Sequence, residues 1–256
     1  MDFEKKIAIM QQGGEILKKI FSELINFIKP GIDTLTIDQK AEKLFKLFKV
    51  ESAFKNYRPD FASRPYPANI CLSLNEVIVH GLPSKDKIIQ EGDILKIDIG
   101  IKYQNLYLDS ALTIGIGDLE PKERKLIKAT KEALKLAINF AKEGYTIGDI
   151  GYTIYNYLER ENNFKVIKNL CGHDIGEYLH GNLQILNFGS PGLGKKIKKG
   201  LIFTIEPMAN FFSNYALQIN DFEFITEDHS KSSHFEVTLA VLGKENLILT
   251  DILDLV

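Results

Sequence analysis

Residues 95–114, LKIDIGIKYQNLYLDSALTI, consist of two apolar runs flanking the dipeptide Gln104-Asn105, and each run carries one aspartate, Asp98 or Asp109. Runs of this length and composition predict strands, and a two-residue connection predicts a hairpin. Tyr103 then faces Leu106, which sets Asp109 opposite Gly100 and Asp98 opposite Ala111. Side chains alternate along a strand, so Asp98, Gly100 and Asp109 share one face. The two carboxylates become diagonal neighbours, about 7 Å apart at Cα and closer at their oxygens. Anions so placed repel unless a cation or a proton intervenes. A three-residue loop would send them to opposite faces, and two solvated residues on an exposed sheet would fit the same pattern.

The same anomaly recurs twice further along. In GLIFTIEPM (200–208) Glu206 ends an apolar run just before Pro207, and in SSHFEVTLAVL (232–242) Glu236 interrupts another. An isolated buried carboxylate costs several kcal/mol unless it is neutralised, and metal ions would neutralise all four together. Oxygen donors with an imidazole suit divalent manganese, iron, cobalt or zinc better than a thiolate-type structural zinc site. Four negative charges match two divalent ions, an arrangement that holds and activates a bridging water for hydrolysis.

A candidate imidazole lies in CGHDIGEYLHG (171–181), where His173 and His180 stand seven positions apart among glycines. The glycines argue against a helix, and a straight strand would put the two rings on opposite faces. Convergence on one centre therefore requires a bend at Asp174-Ile175-Gly176. His173 is the natural fifth ligand. Should that bend need a positive φ, aspartate at 174 would supply it better than most residues.

Elsewhere, apolar spacing predicts helices over Phe3–Ile28, from a Thr36/Gln39 capping box to Phe48, over Pro121–Lys142 and over Ile147–Asn162. Further strands are expected at Ile70–Leu74, Val77–Val79, Leu201–Ile205, Ala216–Ile225 and Phe235–Leu242. Helices grouped between blocks of hairpin-linked strands indicate an α+β chain. Ser190–Lys199 (SPGLGKKIKK) reads as a linker and matches no phosphate-loop pattern. With 256 residues and a formal charge of −2, the chain has no basic footprint for nucleic acid. Its two cysteines form no CxxC pair, which fits a reducing, cytoplasmic setting. The N-terminus lacks the order of a signal peptide, and no apolar run reaches membrane-spanning length.

Taken in order, CLSLNEVIVHGLP (71–83), IDIG (97–100) with LDSA (108–111), GHDIG with LH (172–180), FTIEPM (203–208) and FEVT (235–238) resemble the type I methionine aminopeptidases. The likeness runs from about Ile28 to about Thr250. It implies a pita-bread metallopeptidase fold: a curved antiparallel sheet with helices packed on its outer face and pseudo-two-fold halves, with residues 1–256 as a single domain. The implied activity is removal of the N-terminal methionine from nascent polypeptides, by attack of a metal-bridged water on the first peptide bond. The implied cofactors are two divalent ions (Co, Mn, Fe or Zn) on Asp98, Asp109, His173, Glu206 and Glu236, with Asp109 and Glu236 bridging. By the same likeness His80 would contact the scissile amide and His180 its carbonyl, while Glu206 would also shuttle a proton. Tyr66, Cys71 and Phe222 would wall the side-chain pocket. The expected setting is the cytoplasm, as a monomer acting on nascent N-termini near the ribosome.

Departures from that pattern fall around the pocket. Asp174 replaces a usual glycine, and Gly181 and Leu183 stand where glutamate and proline are usual. Leu179 and Ser63 occupy positions that often carry aromatic pocket residues. His234, where glutamine is usual, reads as packing beside Glu236, and His229 as an exposed loop residue. An Xaa-Pro aminopeptidase or dipeptidase of the same fold stays open as an alternative, as does a non-catalytic peptide-binding module.

Overall fold

The hairpin forms in the register its sequence predicts. In the computed structural model, which describes all of Met1–Val256, Gly100 pairs with Asp109 and Asp98 with Ala111. Gln104 and Asn105 both take left-handed backbone (φ 47° and 65°), the geometry whose twist matches the flanking strands.

The elements in chain order are α1 (Phe3–Phe27), α2 (Thr34–Phe48), β1 (Glu51–Ser52), β2 (Cys71–Leu74), β3 (Val77–Val79), β4 (Ile94–Tyr103) and β5 (Leu106–Gly115). Then come α3 (Pro121–Ile138), α4 (Ile147–Tyr155), β6 (Lys165–Val166), β7 (Cys171–His173), β8 (Gln184–Leu186), β9 (Ile202–Ile205) and β10 (Met208–Asn210). The chain closes with β11 (Ala216–Gln218), β12 (Phe224–Thr226), β13 (Ser232–His234), β14 (Val237–Val241) and β15 (Asn246–Ile248). Each half is thus a helix pair followed by strands.

Every ladder is antiparallel, and the sheet consists of short pieces rather than one long ladder. The β4 strand pairs with β1 and β2 on one side and β5 on the other, while β13-β10-β6, β11-β12-β3, β15-β14-β9 and β7-β8 form smaller sheets. Single bridges join pieces: Ala111 with Glu236, and Asp174 with Phe203. One apolar cluster of 59 buried residues runs from Ile7 to Leu253 through both halves. Burial of apolar surface on that scale is the main force holding the pieces in place.

Several expected boundaries move, each for a local reason. Asp33, not Thr36, caps α2: its carboxylate accepts the Thr36 N–H at 2.8 Å and the Thr36 hydroxyl at 2.7 Å. The run Ala216–Ile225 is two strands, because Asn220 Oδ1 accepts the N–H groups of Phe222 and Glu223 and reverses the chain. The run Phe235–Leu242 shortens to β14, since Glu236 spends its main chain on Ala111. The α3 helix stops at Ile138, and α4 passes into a π-helical turn over Asn156–Glu161. Ser190–Lys199 is no free linker: the carbonyls of Lys195 and Leu193 accept the N–H groups of Ile147 and Gly148, two of the donors that a helix N-terminus leaves over.

Candidate active site

Strand pairing brings the interrupting carboxylates together. Asp98 and Asp109 come from the hairpin, Glu236 from the bridge to Ala111, Glu206 from the break between β9 and β10, and His173 from the end of β7. Ligand atoms of Asp98, Asp109 and Glu236 all lie within 4.8 Å of one another, as do those of His173, Glu206 and Glu236. A third group joins Asp109 with His173 and His180 on the same limit. Asp109, His173 and Glu236 therefore each belong to two groups, which links the three into one cluster. Gly100 makes room beside them: a Cβ there would lie 2.5 Å from the ring of Phe54.

All four carboxylates are buried. Burial, with mutual repulsion added, pushes Asp98 and Glu236 well above the ordinary carboxylate range, and burial likewise raises Glu206. Burial lifts Asp109 to about 7, against the Ser110 N–H that bonds its Oδ1. Asp98 Oδ1 and Glu236 Oε1 have no hydrogen-bond partner. Orphaned acceptors in a buried anionic cluster are costly unless cations fill the centre. An oxygen-rich donor set with one imidazole fits divalent metal.

The imidazoles are neutral near pH 7. His173 Nδ1 lies 3.2 Å from the Asp174 carbonyl, an acceptor that takes the proton there and leaves the Nε2 lone pair free. Its Nε2 stands 3.7 Å from Glu206 Oε1, and burial holds its pKa down at about 4. The His180 ring lies 4.4 Å from that of His173 at 81°, so the bend between them does converge the pair. Partial desolvation, with His173 and His80 nearby, lowers the pKa of the His180 ring, although the residue keeps solvent-exposed surface. His80 follows β3 in left-handed backbone (φ 58°), stacks on Phe61 at 5.7 Å and is lowered by burial to about 4.

These groups line one pocket of 430 Å³, whose wall includes Tyr66, Cys71 and Phe222. The Tyr66 ring meets Phe222 edge-on at 5.1 Å, and its hydroxyl donates to the Gly81 carbonyl at 2.9 Å. Cys71 pairs with Asp98 across β2 and β4. Two other positions miss the wall. Leu179 is buried in the apolar core, and the Ser63 hydroxyl donates to Asp221 at 2.8 Å. Asp174 is not among the residues with positive φ; Gly176 takes the unusual conformation of that bend instead (φ 144°).

One pocket residue, His234, departs from its reading as packing, and two more, Tyr57 and Phe61, escaped the sequence reading. His234 is 1% exposed, and both its ring nitrogens lack a partner; its Nε2 is 4.0 Å from Glu206 Oε2. Its place two residues before Glu236 was the available signal, and packing alone does not account for it. Tyr57, whose hydroxyl is 2.9 Å from His180 Nδ1, and Phe61 both lie in an irregular loop with no periodicity to mark them. His229 is exposed, as its loop setting suggests.

Residues 8–241 match metallopeptidase family M24. Methionine aminopeptidase 1 of Bacillus subtilis is 36% identical over 247 residues, covering 96% of each chain. Among solved structures, a methionine aminopeptidase from Thermotoga maritima superposes with a TM-score of 0.90 at 34% identity, again over 96% of each chain. A prolidase from Pyrococcus horikoshii reaches 0.73 at 23% identity over 97% of this chain and 62% of its own, a likeness of fold alone.

Proposed function

The chain belongs to metallopeptidase family M24, and from that membership together with the pocket we infer that it is a metal-dependent methionine aminopeptidase. The observation that carries this reading is the pair of ligand groups that meet at Glu236, set in the floor of a pocket with an apolar wall. Two divalent ions, from among Co, Mn, Fe and Zn, would be held by Asp98, Asp109, His173, Glu206 and Glu236, with Asp109 and Glu236 shared. Bound there, they would supply positive charge that acidifies water and anchors a free α-amine.

The protein's own groups position the peptide and move the proton. The Tyr57 hydroxyl lies 2.9 Å from His180 Nδ1; with the hydroxyl as donor, the ring proton is on Nε2. That N–H donates to the carbonyl oxygen of the first peptide bond, and the bond strengthens as the oxygen gains charge in the transition state. His80, neutral on the opposite side, hydrogen-bonds the scissile amide. Glu206 is held by the Thr204 hydroxyl at 2.9 Å, and its raised pKa suits it to accept a proton and return it to the departing amine. Tyr66, Cys71 and Phe222 receive the methionine side chain.

Residues 1–256 act as one domain, monomeric, on the N-termini of nascent chains in the cytoplasm and close to the ribosome. No helix is long and apolar enough to cross a membrane, and the two cysteines are free, in keeping with that setting. The test is a panel of Met-Ala, Leu-Ala and Ala-Pro peptides with protein loaded with cobalt, manganese or iron. Release of methionine is expected. Turnover of Ala-Pro instead would replace the assignment with an Xaa-Pro peptidase, and no turnover with any metal by folded protein would leave only a peptide-binding module.

A further inference from the structure

We propose that Asp174 is a positioning residue for His180, and that its carboxylate is what requires glycine at 181. The two positions work as one latch. Asp174 sits where the loop that carries His180 leaves the sheet, and its main chain is bridged to Phe203 on β9. Its Oδ1 accepts the Leu183 N–H at 2.7 Å and its Oδ2 accepts the Tyr178 hydroxyl at 2.7 Å. Its main-chain carbonyl accepts the Gly181 N–H at 2.8 Å and the Nδ1 proton of His173 at 3.2 Å. One residue thus fixes the ring of the first histidine and grips the chain on both sides of the second.

Gly181 completes the latch by leaving space. A Cβ at 181 would lie 2.2 Å from Asp174 Oδ1 and 2.4 Å from Oδ2, inside the carboxylate. Gly181 does not adopt left-handed backbone, so steric room and not conformational freedom makes the glycine necessary. Bonds to a charged carboxylate are stronger than neutral ones, which suits a single side chain that closes a loop. Within the loop from 174 to 183, Ile175 and Leu179 are anchored in the apolar core, but His180 is exposed with Glu177, Tyr178 and Asn182, so its own segment depends on the polar contacts. Removing the carboxylate would let His180 drift from the position set by His173 and Tyr57.

The kinetic part of this proposal rests on the role assigned above to His180; the steric coupling of 174 and 181 does not. The test is a cycle of Asp174→Gly, Gly181→Ala and the double variant, in metal-loaded protein. Gly181→Ala alone should lower the melting temperature, whereas in the Asp174→Gly background the same change should cost nothing further. Asp174→Gly should cut kcat about tenfold to a hundredfold, the scale of a misplaced catalytic group, with KM and metal affinity unchanged, because the carbonyl that holds His173 belongs to the main chain. Asp174→Asn keeps an acceptor for Leu183 and a polar contact for Tyr178, and should recover kcat to within about threefold of wild type. In a His180→Ala background, Asp174→Gly should have no additional effect on kcat. Additive melting shifts at 174 and 181 would overturn the latch. An equal loss of kcat with and without His180 would overturn the positioning role. Should wild-type protein prove inactive, the melting cycle still decides the latch, so that the two failures are told apart.

Discussion

Asp109 illustrates how much one residue's surroundings can decide. Its strand is mostly apolar, its carboxylate is buried, and burial lifts its pKa to about 7. A metal ion binds the deprotonated form, so below that pH it must displace a proton. Affinity for divalent metal should therefore rise with pH through about 7, and Asp98, Glu206 and Glu236, whose pKa values burial also raises, add to the slope. The histidines at about 4 or below are already neutral over this range and add nothing to the slope. Calorimetry in buffers of differing ionisation enthalpy should record proton release on manganese binding, and Asp109→Ala should abolish the binding. A flat affinity between pH 6 and 8 would show that the carboxylates are ionised before the metal arrives. Asp98 and Asp109 were legible as a facing pair from strand alternation alone. Tyr57 was not, because its contact with His180 spans 123 residues of chain and no local pattern encodes it.

At the level of elements, ends were harder to read than middles. The apolar stripes of α1 and α2 locate both helices within a residue or two, but the cap of α2 falls on Asp33 and not Thr36. Both residues are good caps, and the choice depends on where the chain enters the helix. Asp33 accepts two bonds from Thr36, so Asp33→Ala should cost about 1 kcal/mol of stability, as typical cap removals do. Thr36→Ala should cost less, since the Thr36 N–H keeps its acceptor. Denaturant midpoints of the two variants decide this, and the reverse order would restore Thr36 as the cap. The hairpin of β4 and β5 was readable in register because a two-residue turn leaves no slack. The breaks at Asn220 and Glu236 were not, since there a side chain or a distant strand takes the backbone's hydrogen bonds from the expected ladder.

Across the whole molecule, the candidate ligands come from both halves, and one apolar core passes between them. Metal bound at their junction would tie the halves together, and a ligand that binds only the folded state raises stability by about 2.7 kcal/mol at a hundredfold excess over its Kd. Chelation should therefore lower the melting temperature in a single transition, not melt one half before the other. The fall should be greater at pH 8 than at pH 6. Carboxylates with raised pKa values contribute stability that is complete below the unfolded value and fades as pH rises through the folded one. Without metal, the repulsion is then at its worst on the alkaline side. Scanning calorimetry with and without chelator measures this, and two separated transitions would mean that the halves melt independently.

By itself the sequence determined the α+β class, the hairpin with both aspartates on one face, and which interrupting carboxylates needed a partner in the fold. Those depend on strand period, turn length and the cost of burying charge, all of which act over a few residues. Only the tertiary structure decided which partners complete the pocket: that Tyr57 reaches His180, that His234 faces Glu206 with both nitrogens free, and that Leu179 and Ser63 turn away from the wall. It also decided why Asp174 and Gly181 occur together, because the space one carboxylate fills is defined by a loop folding back on itself. Local rules name the groups, and their meeting depends on chain closure over long separations, which no short window of sequence contains.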